Sequence, residues 1–226
     1  MTSSERNNAM ITAPLCVCCN RAYHVAMEKR ISAAHPIHEL IARRWSPRAF
    51  ADRAVEPQKL QPVMEAARWA PSSSNEQPWH FIVATKDQPT DFHRVLSCLV
   101  EKNQQWAQHA PVLMIAATAL HFRKHGTANR HAYYDTGQAV AYMTLQATAL
   151  GLYIHQMAGF SPETAQKELQ IPEGVEAVTA IAMGYLGDPQ QLPEDLRQRE
   201  LAPGTRKSTQ EFVFEGRWGQ KPAWLT

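Results

Sequence analysis

A continuous apolar run, residues 112–118, is the feature that most constrains the fold of this chain. An uncharged run of this length fits a strand that is buried on both faces at the centre of a sheet. It is far too short for a membrane span, which needs roughly 20 apolar residues. The run therefore predicts a globular protein whose sheet has its central strand here.

Helices and strands alternate on both sides of this run. Residues 79–85, 153–157 and 178–183 are predicted as further strands. The pattern favours one domain over residues 31–226, in which helices flank one mixed sheet. Helices are predicted from Pro36 to near residue 44, from Pro57 onward, over residues 92–108 and 131–150, and from Pro162 onward.

The first 30 residues contain little core material. They are predicted to be disordered or to belong to a mis-annotated extension, with Met27 as an alternative start. Cys16, Cys18 and Cys19 crowd this segment, but no partner ligands complete a zinc site, so no metal site is predicted. A reduced tail in the cytoplasm is the favoured interpretation.

The charge balance is ordinary for a globular protein. Charged residues make up 19% of the chain, and the formal net charge is +2. Neither value argues for broad binding to nucleic acid or to a membrane surface.

Two polar clusters flank the helical segment that begins at Pro57. The first offers fixed positive charge and a hydroxyl, which is the chemistry that binds a phosphate. The second offers amide donors and acceptors that suit the edge of a planar heterocycle. A solvated basic helix end and a rigid surface loop remain the alternatives. The clusters are Arg43, Arg44, Ser46 and Arg48, and then Ser72, Ser73, Ser74, Asn75 and Gln77.

Residues 44–50 and 65–81 together closely resemble the FMN-dependent nitroreductase family. Weaker matches follow in the family's order, at residues 149–152, 159–160, 171–174 and 183–185. The resemblance covers roughly residues 35–218. It implies an α+β homodimer with a mainly antiparallel sheet and with FMN bound at the subunit interface.

The resemblance also implies the site residues. Arg44 and Ser46 match positions near the phosphoribityl chain, and Asn75 matches a loop that reaches the flavin from the partner subunit. Trp45 and Ala158 depart from residues common in the family. The implied cofactor-binding residues are Arg43, Arg44, Ser46, Arg48, Asn75, Gln77, Met157, Ala158, Gly159, Arg206 and Lys207.

The implied activity is an NAD(P)H-dependent FMN oxidoreductase that works by ping-pong. Hydride is expected to pass through flavin N5 to nitroaromatic or quinone-type acceptors, so no separate catalytic side chain is predicted. Reductive dehalogenation, flavin cleavage or enone reduction on the same fold, and a non-catalytic FMN-binding protein, remain alternatives. A further alternative is an interaction module that uses the cysteine-rich tail.

Overall fold

A computed structural model describes residue 29, residue 31 and residues 33–225 of the chain. The expectations about Met27, Cys16, Cys18 and Cys19 lie outside the described residues. Within the described part, four strands form one sheet in the order β1-β2-β4-β3, and every pairing is antiparallel. The predicted α+β fold with a mainly antiparallel sheet is thereby confirmed. The strands are β1 (Trp79–Thr85), β2 (Val112–Ala119), β3 (Tyr153–Met157) and β4 (Val175–Gly184).

Strand β2 lies between β1 and β4, and all its residues from 112 to 118 are buried. Alternate side chains of a strand point to opposite faces of the sheet. Leu113 and Ile115 accordingly join one apolar cluster, while Met114 and Ala116 join the other. The apolar run is therefore a central strand with a core on each face, as predicted.

Seven α-helices of the described chain cover the two faces of this sheet. Helices α2 and α5 contribute Val63 and Met143 to one core, and α3 and α4 contribute Phe92 and Trp106 to the other. No helix among the described residues is long and apolar enough to cross a membrane. The helices are α1 (Glu39–Arg43), α2 (Pro57–Arg68), α3 (Pro89–Ser97), α4 (Glu101–Ala107), α5 (Ala132–Ala149), α6 (Pro162–Glu168) and α7 (Glu194–Leu201).

Two helix predictions were wrong in their bounds. The helix predicted from Pro36 begins at Glu39, because the His38 ring accepts the Leu40 N–H and caps the helix there. The single helix predicted over residues 92–108 is two helices, α3 and α4. The break between them forms because Val100 N donates to the carbonyl oxygen of Gly159, at 3.1 Å. Tertiary pairing thus interrupts a helical pattern and holds Gly159 in place.

Candidate functional site

The basic loop, residues 44–48, follows α1 and is fixed at its far end. There Gly187 N donates to Ala49 O at 2.9 Å, and Ala51 N donates to Tyr185 O at 3.0 Å. A Cβ atom on Gly187 would lie 2.4 Å from the carbonyl carbon of Phe50, so only glycine permits this close approach. The loop is therefore attached to the chain that leaves β4.

Glu200 on α7 holds the same loop from the other side. Its carboxylate accepts the N–H of Arg48 at 2.9 and 3.0 Å and the N–H of Ala49 at 3.1 Å. The Arg48 guanidinium lies 3.8 Å from this carboxylate, and Lys29 Nζ donates to the main-chain oxygen of Glu200. Glu200 is only 2% exposed. A buried charge of this kind needs such partners, so the loop and α7 fix each other.

Arg44 and Ser46 of the loop contact each other, and the charge of Arg206 acts on Arg44. Arg44 Nη1 donates to Ser46 Oγ at 3.3 Å. Burial, followed by the nearby positive charge of Arg206, lowers the pKa of Arg44. No ion pair joins either guanidinium to an acid within the part of the chain that the structure describes. Two cations brought together without an anion, beside a hydroxyl, form a donor set that fits a phosphate.

Arg43 and Lys207, the other cations predicted for the site, differ in exposure. Arg43 lies in the last turn of α1 and is half-buried, where a cation also favours the helix dipole. Lys207 is exposed and follows Arg206 in an irregular segment after α7.

The end of β3 lies beside the basic loop. His155 Nδ1 is 2.9 Å from the carbonyl oxygen of Pro47, which joins the strand to the loop. Met157 is buried at the strand end, and Ala158 is exposed. Gly159 is tightly enclosed, since a Cβ atom there would lie 2.5 Å from Asn103 Nδ2. The structure thus places β3, the strand that leads into segment 157–159, beside the basic loop.

We expect His155 to make the fold sensitive to acid. Burial, together with the nearby charge of Arg48, lowers the pKa of His155 to about 4. The unfolded chain, with a pKa near 6.5, binds the proton first, so the free energy of unfolding falls as the pH falls from about 6.5 to about 4. The loss is expected to be about 2–3 kcal/mol. Urea unfolding across this pH range measures it.

The control for this prediction is His155→Gln, whose amide donates to the same carbonyl but does not titrate. The stability difference between wild type and His155→Gln should shrink or change sign as the pH falls. Parallel pH profiles for the two proteins would contradict the assignment.

The polar loop, residues 72–77, has a strained backbone. Ser74, Asn75 and Gln77 have positive φ values of 54°, 53° and 54°, which non-glycine residues rarely adopt. The Asp135 carboxylate accepts the Ser73 N–H at 3.0 Å, and Ser72 Oγ accepts the Gln77 N–H at 3.0 Å. The loop is thereby held in a conformation that leaves Asn75 and Gln77 exposed.

The structure does not join this polar loop to the basic loop. Within the described residues of one chain, no hydrogen bond or ion pair links Asn75 or Gln77 to Arg44, Ser46 or Arg206. The predicted site residues therefore form two separate groups on a single chain.

Sequence reasoning missed the residues that hold these loops. Glu200 was detectable in principle, because it lies four positions after the buried Leu196 on the same helix face. No sequence signal distinguished Asp135 or Glu76 from ordinary surface acids.

Trp45, which departs from the residues common in the family, supplies no charge to the basic loop. Its ring contacts Tyr153 and Lys29, and its buried Nε1 has no acceptor among the described residues.

Comparison with known proteins identifies the family. The model of the nitroreductase family matches residues 41–185, which include the basic loop, the polar loop and all four strands. The chain belongs to the nitroreductase family. Membership supports an oxidoreductase that binds a flavin, in agreement with the resemblance of the two sequence motifs.

Individual nitroreductase-family relatives agree with this assignment. A solved oxidoreductase containing FMN is 34% identical, with a TM-score of 0.80, over 84% of this chain and 97% of its own. An uncharacterized 15.4 kDa protein of Mycolicibacterium smegmatis is 34% identical over 55% of this chain and 82% of its own. A protein of Archaeoglobus fulgidus, provisionally named NADH dehydrogenase/NAD(P)H nitroreductase, is 25% identical over 66% of this chain and 85% of its own.

Proposed function

We propose that this chain is an FMN-dependent oxidoreductase that takes hydride from NAD(P)H and delivers electrons to nitroaromatic or quinone-type acceptors. The observation that carries the proposal is the pair Arg44 and Arg206, two neighbouring guanidinium groups with no acidic partner among the described residues. An FMN phosphate supplies nearly two negative charges, which would offset them. When bound, FMN supplies the redox chemistry, accepting hydride at N5.

The residues of the chain then have binding and orienting roles. Arg44, Ser46, Arg48 and Arg206 would bind the phosphate, with Arg43 and Lys207 adding positive charge around it. The segment 157–159, in which Ala158 is exposed, would lie against the flavin ring, and donor and acceptor would bind beside it. Because donor and acceptor use the same space in turn, a ping-pong order follows.

A second copy of the chain would complete this site. Asn75 and Gln77 are exposed and separate from the basic loop of their own chain, so they are available to the flavin of another copy. Helix α5 buries one side in the core but exposes Tyr133, Tyr134 and Tyr142, at 45%, 68% and 44%. Large exposed aromatic residues on one helix are typical of a protein interface. We therefore propose a homodimer with α5 at its interface.

The proposed function is tested on purified protein. We expect a yellow dimer by absorbance and light scattering, and anaerobic NADH or NADPH should bleach its flavin bands. Added nitroaromatic or quinone should restore them. Yellow protein that neither dinucleotide bleaches would instead favour a non-catalytic FMN-binding protein, and colourless protein that ignores added FMN would refute the site.

A further inference from the structure

The segment from Leu120 to Arg130 is a closed hairpin beside the polar loop. Asn129 N donates to Leu120 O at 2.7 Å, and Phe122 N donates to Thr127 O at 2.9 Å. Gly126, with a φ of 68°, provides the turn, and the Phe122 and His125 rings lie 5.0 Å apart. These contacts give the hairpin a defined shape that can present side chains in fixed directions.

Arg123 fastens this hairpin to the polar loop. Its backbone N–H and its Nε donate to Glu76 Oε1 at 2.9 and 3.1 Å, and its Nη2 donates to Glu76 O at 3.3 Å. The Glu76 side chain is buried, and these contacts lower its pKa. Since Glu76 lies between Asn75 and Gln77, the hairpin is fixed at the rim of the proposed flavin site.

Two cationic side chains of the hairpin have no partner among the described residues. Residues 121–131 contain no acid, and they include Arg123, Lys124 and Arg130 together with three histidines. Arg123 forms an ion pair with Glu76, so the positive and negative charges of these two side chains offset each other. Lys124 and Arg130 are exposed and form no hydrogen bond or ion pair with any residue that the structure describes. The rim therefore carries local positive charge that the fold itself does not use.

We propose that Lys124 and Arg130 bind the phosphate groups of the nicotinamide dinucleotide. This inference rests on the proposed function, because it requires the nicotinamide ring to lie on the flavin while the rest of the molecule extends over the rim. The dinucleotide carries a charged pyrophosphate, and NADPH adds a 2′-phosphate. The chain has no glycine-rich dinucleotide fingerprint, so we expect side-chain cations such as these to supply this recognition.

The test measures binding rather than turnover. In the FMN-loaded protein, Lys124→Ala/Arg130→Ala should weaken the binding of NADP⁺ about tenfold at low salt by titration calorimetry, since each exposed ion pair contributes modestly and is screened by salt. Flavin content should stay unchanged. A matched control, Arg94→Ala/Lys102→Ala, removes the same charge from α3 and α4 and should bind NADP⁺ as wild type does.

A parallel titration with NAD⁺ separates the two phosphate sources. Weakening for NADP⁺ alone assigns the cations to the 2′-phosphate, and weakening for both assigns them to the pyrophosphate. The proposal is overturned if the double variant binds both dinucleotides like wild type, or if the control weakens equally. Flavin bleaching by NADPH, measured on the same samples, reports separately on the proposed function.

Discussion

Arg44→Ala/Arg206→Ala is expected to purify as colourless protein with almost no bound FMN. Each arginine would lose a charge-assisted hydrogen bond to the phosphate, worth roughly 1.5–3 kcal/mol. Loss of both should weaken FMN binding by about 10² to 10⁴-fold. Flavin absorbance per chain, followed by titration of the apoprotein with FMN, measures the effect.

The same double variant should not lose stability as apoprotein. Burial and the charge of Arg206 lower the pKa of Arg44. The charged form of Arg44 is therefore disfavoured in the folded apoprotein, where no phosphate offsets it. Removing both guanidinium groups relieves the repulsion, and the apoprotein should melt at the same temperature or higher. Stability and cofactor affinity are therefore expected to change in opposite directions, which a general folding defect cannot produce.

Arg94→Ala/Lys102→Ala is the matched control for this experiment as well. It makes the same change in net charge away from the basic loop, and it should remain yellow. A double variant at Arg44 and Arg206 that retains a full complement of FMN would refute the phosphate site.

Local sequence patterns predicted most of the fold. Strands β1 and β3 were predicted with the same first and last residues as observed, because their side chains alone indicate strands. The break between α3 and α4 was not predictable in this way, because it depends on a backbone contact between Val100 and Gly159, which are distant in sequence. Helix patterns report periodicity, and they carry no information about such pairings.

The sequence suggested the candidate binding residues of the site but not the residues that hold them in position. The basic cluster pointed to Arg44, and the family resemblance pointed to Arg206. The spacing of Glu200 from Leu196 hints at the buried face of a polar helix, but only the fold shows that its carboxylate accepts from the basic loop. Residue type and family resemblance can thus suggest candidate binding residues, whereas the residues that hold them in position are seen only in the structure.

Glu200→Ala is expected to destabilise the fold by about 3–5 kcal/mol, which is the usual cost of breaking a buried charged pair. The substitution leaves the backbone N–H groups of Arg48 and Ala49 without an acceptor and the Arg48 guanidinium without its nearest carboxylate. Urea unfolding of the apoprotein measures the loss. FMN content should fall too, because the loop that carries Arg44 and Ser46 loses an attachment.

Two variants separate this effect from a general sensitivity of α7. Glu194→Ala removes an exposed acid from the same helix and should cost less than about 1 kcal/mol, as surface ion pairs do. Glu200→Gln keeps one carbonyl acceptor for the loop but loses the charge, so its stability should lie between wild type and Glu200→Ala. If Glu200→Ala lowers the free energy of unfolding no more than Glu194→Ala does, the Glu200 carboxylate does not hold the loop. The contacts of Gly187 and His155 would then position the arginines of the basic loop.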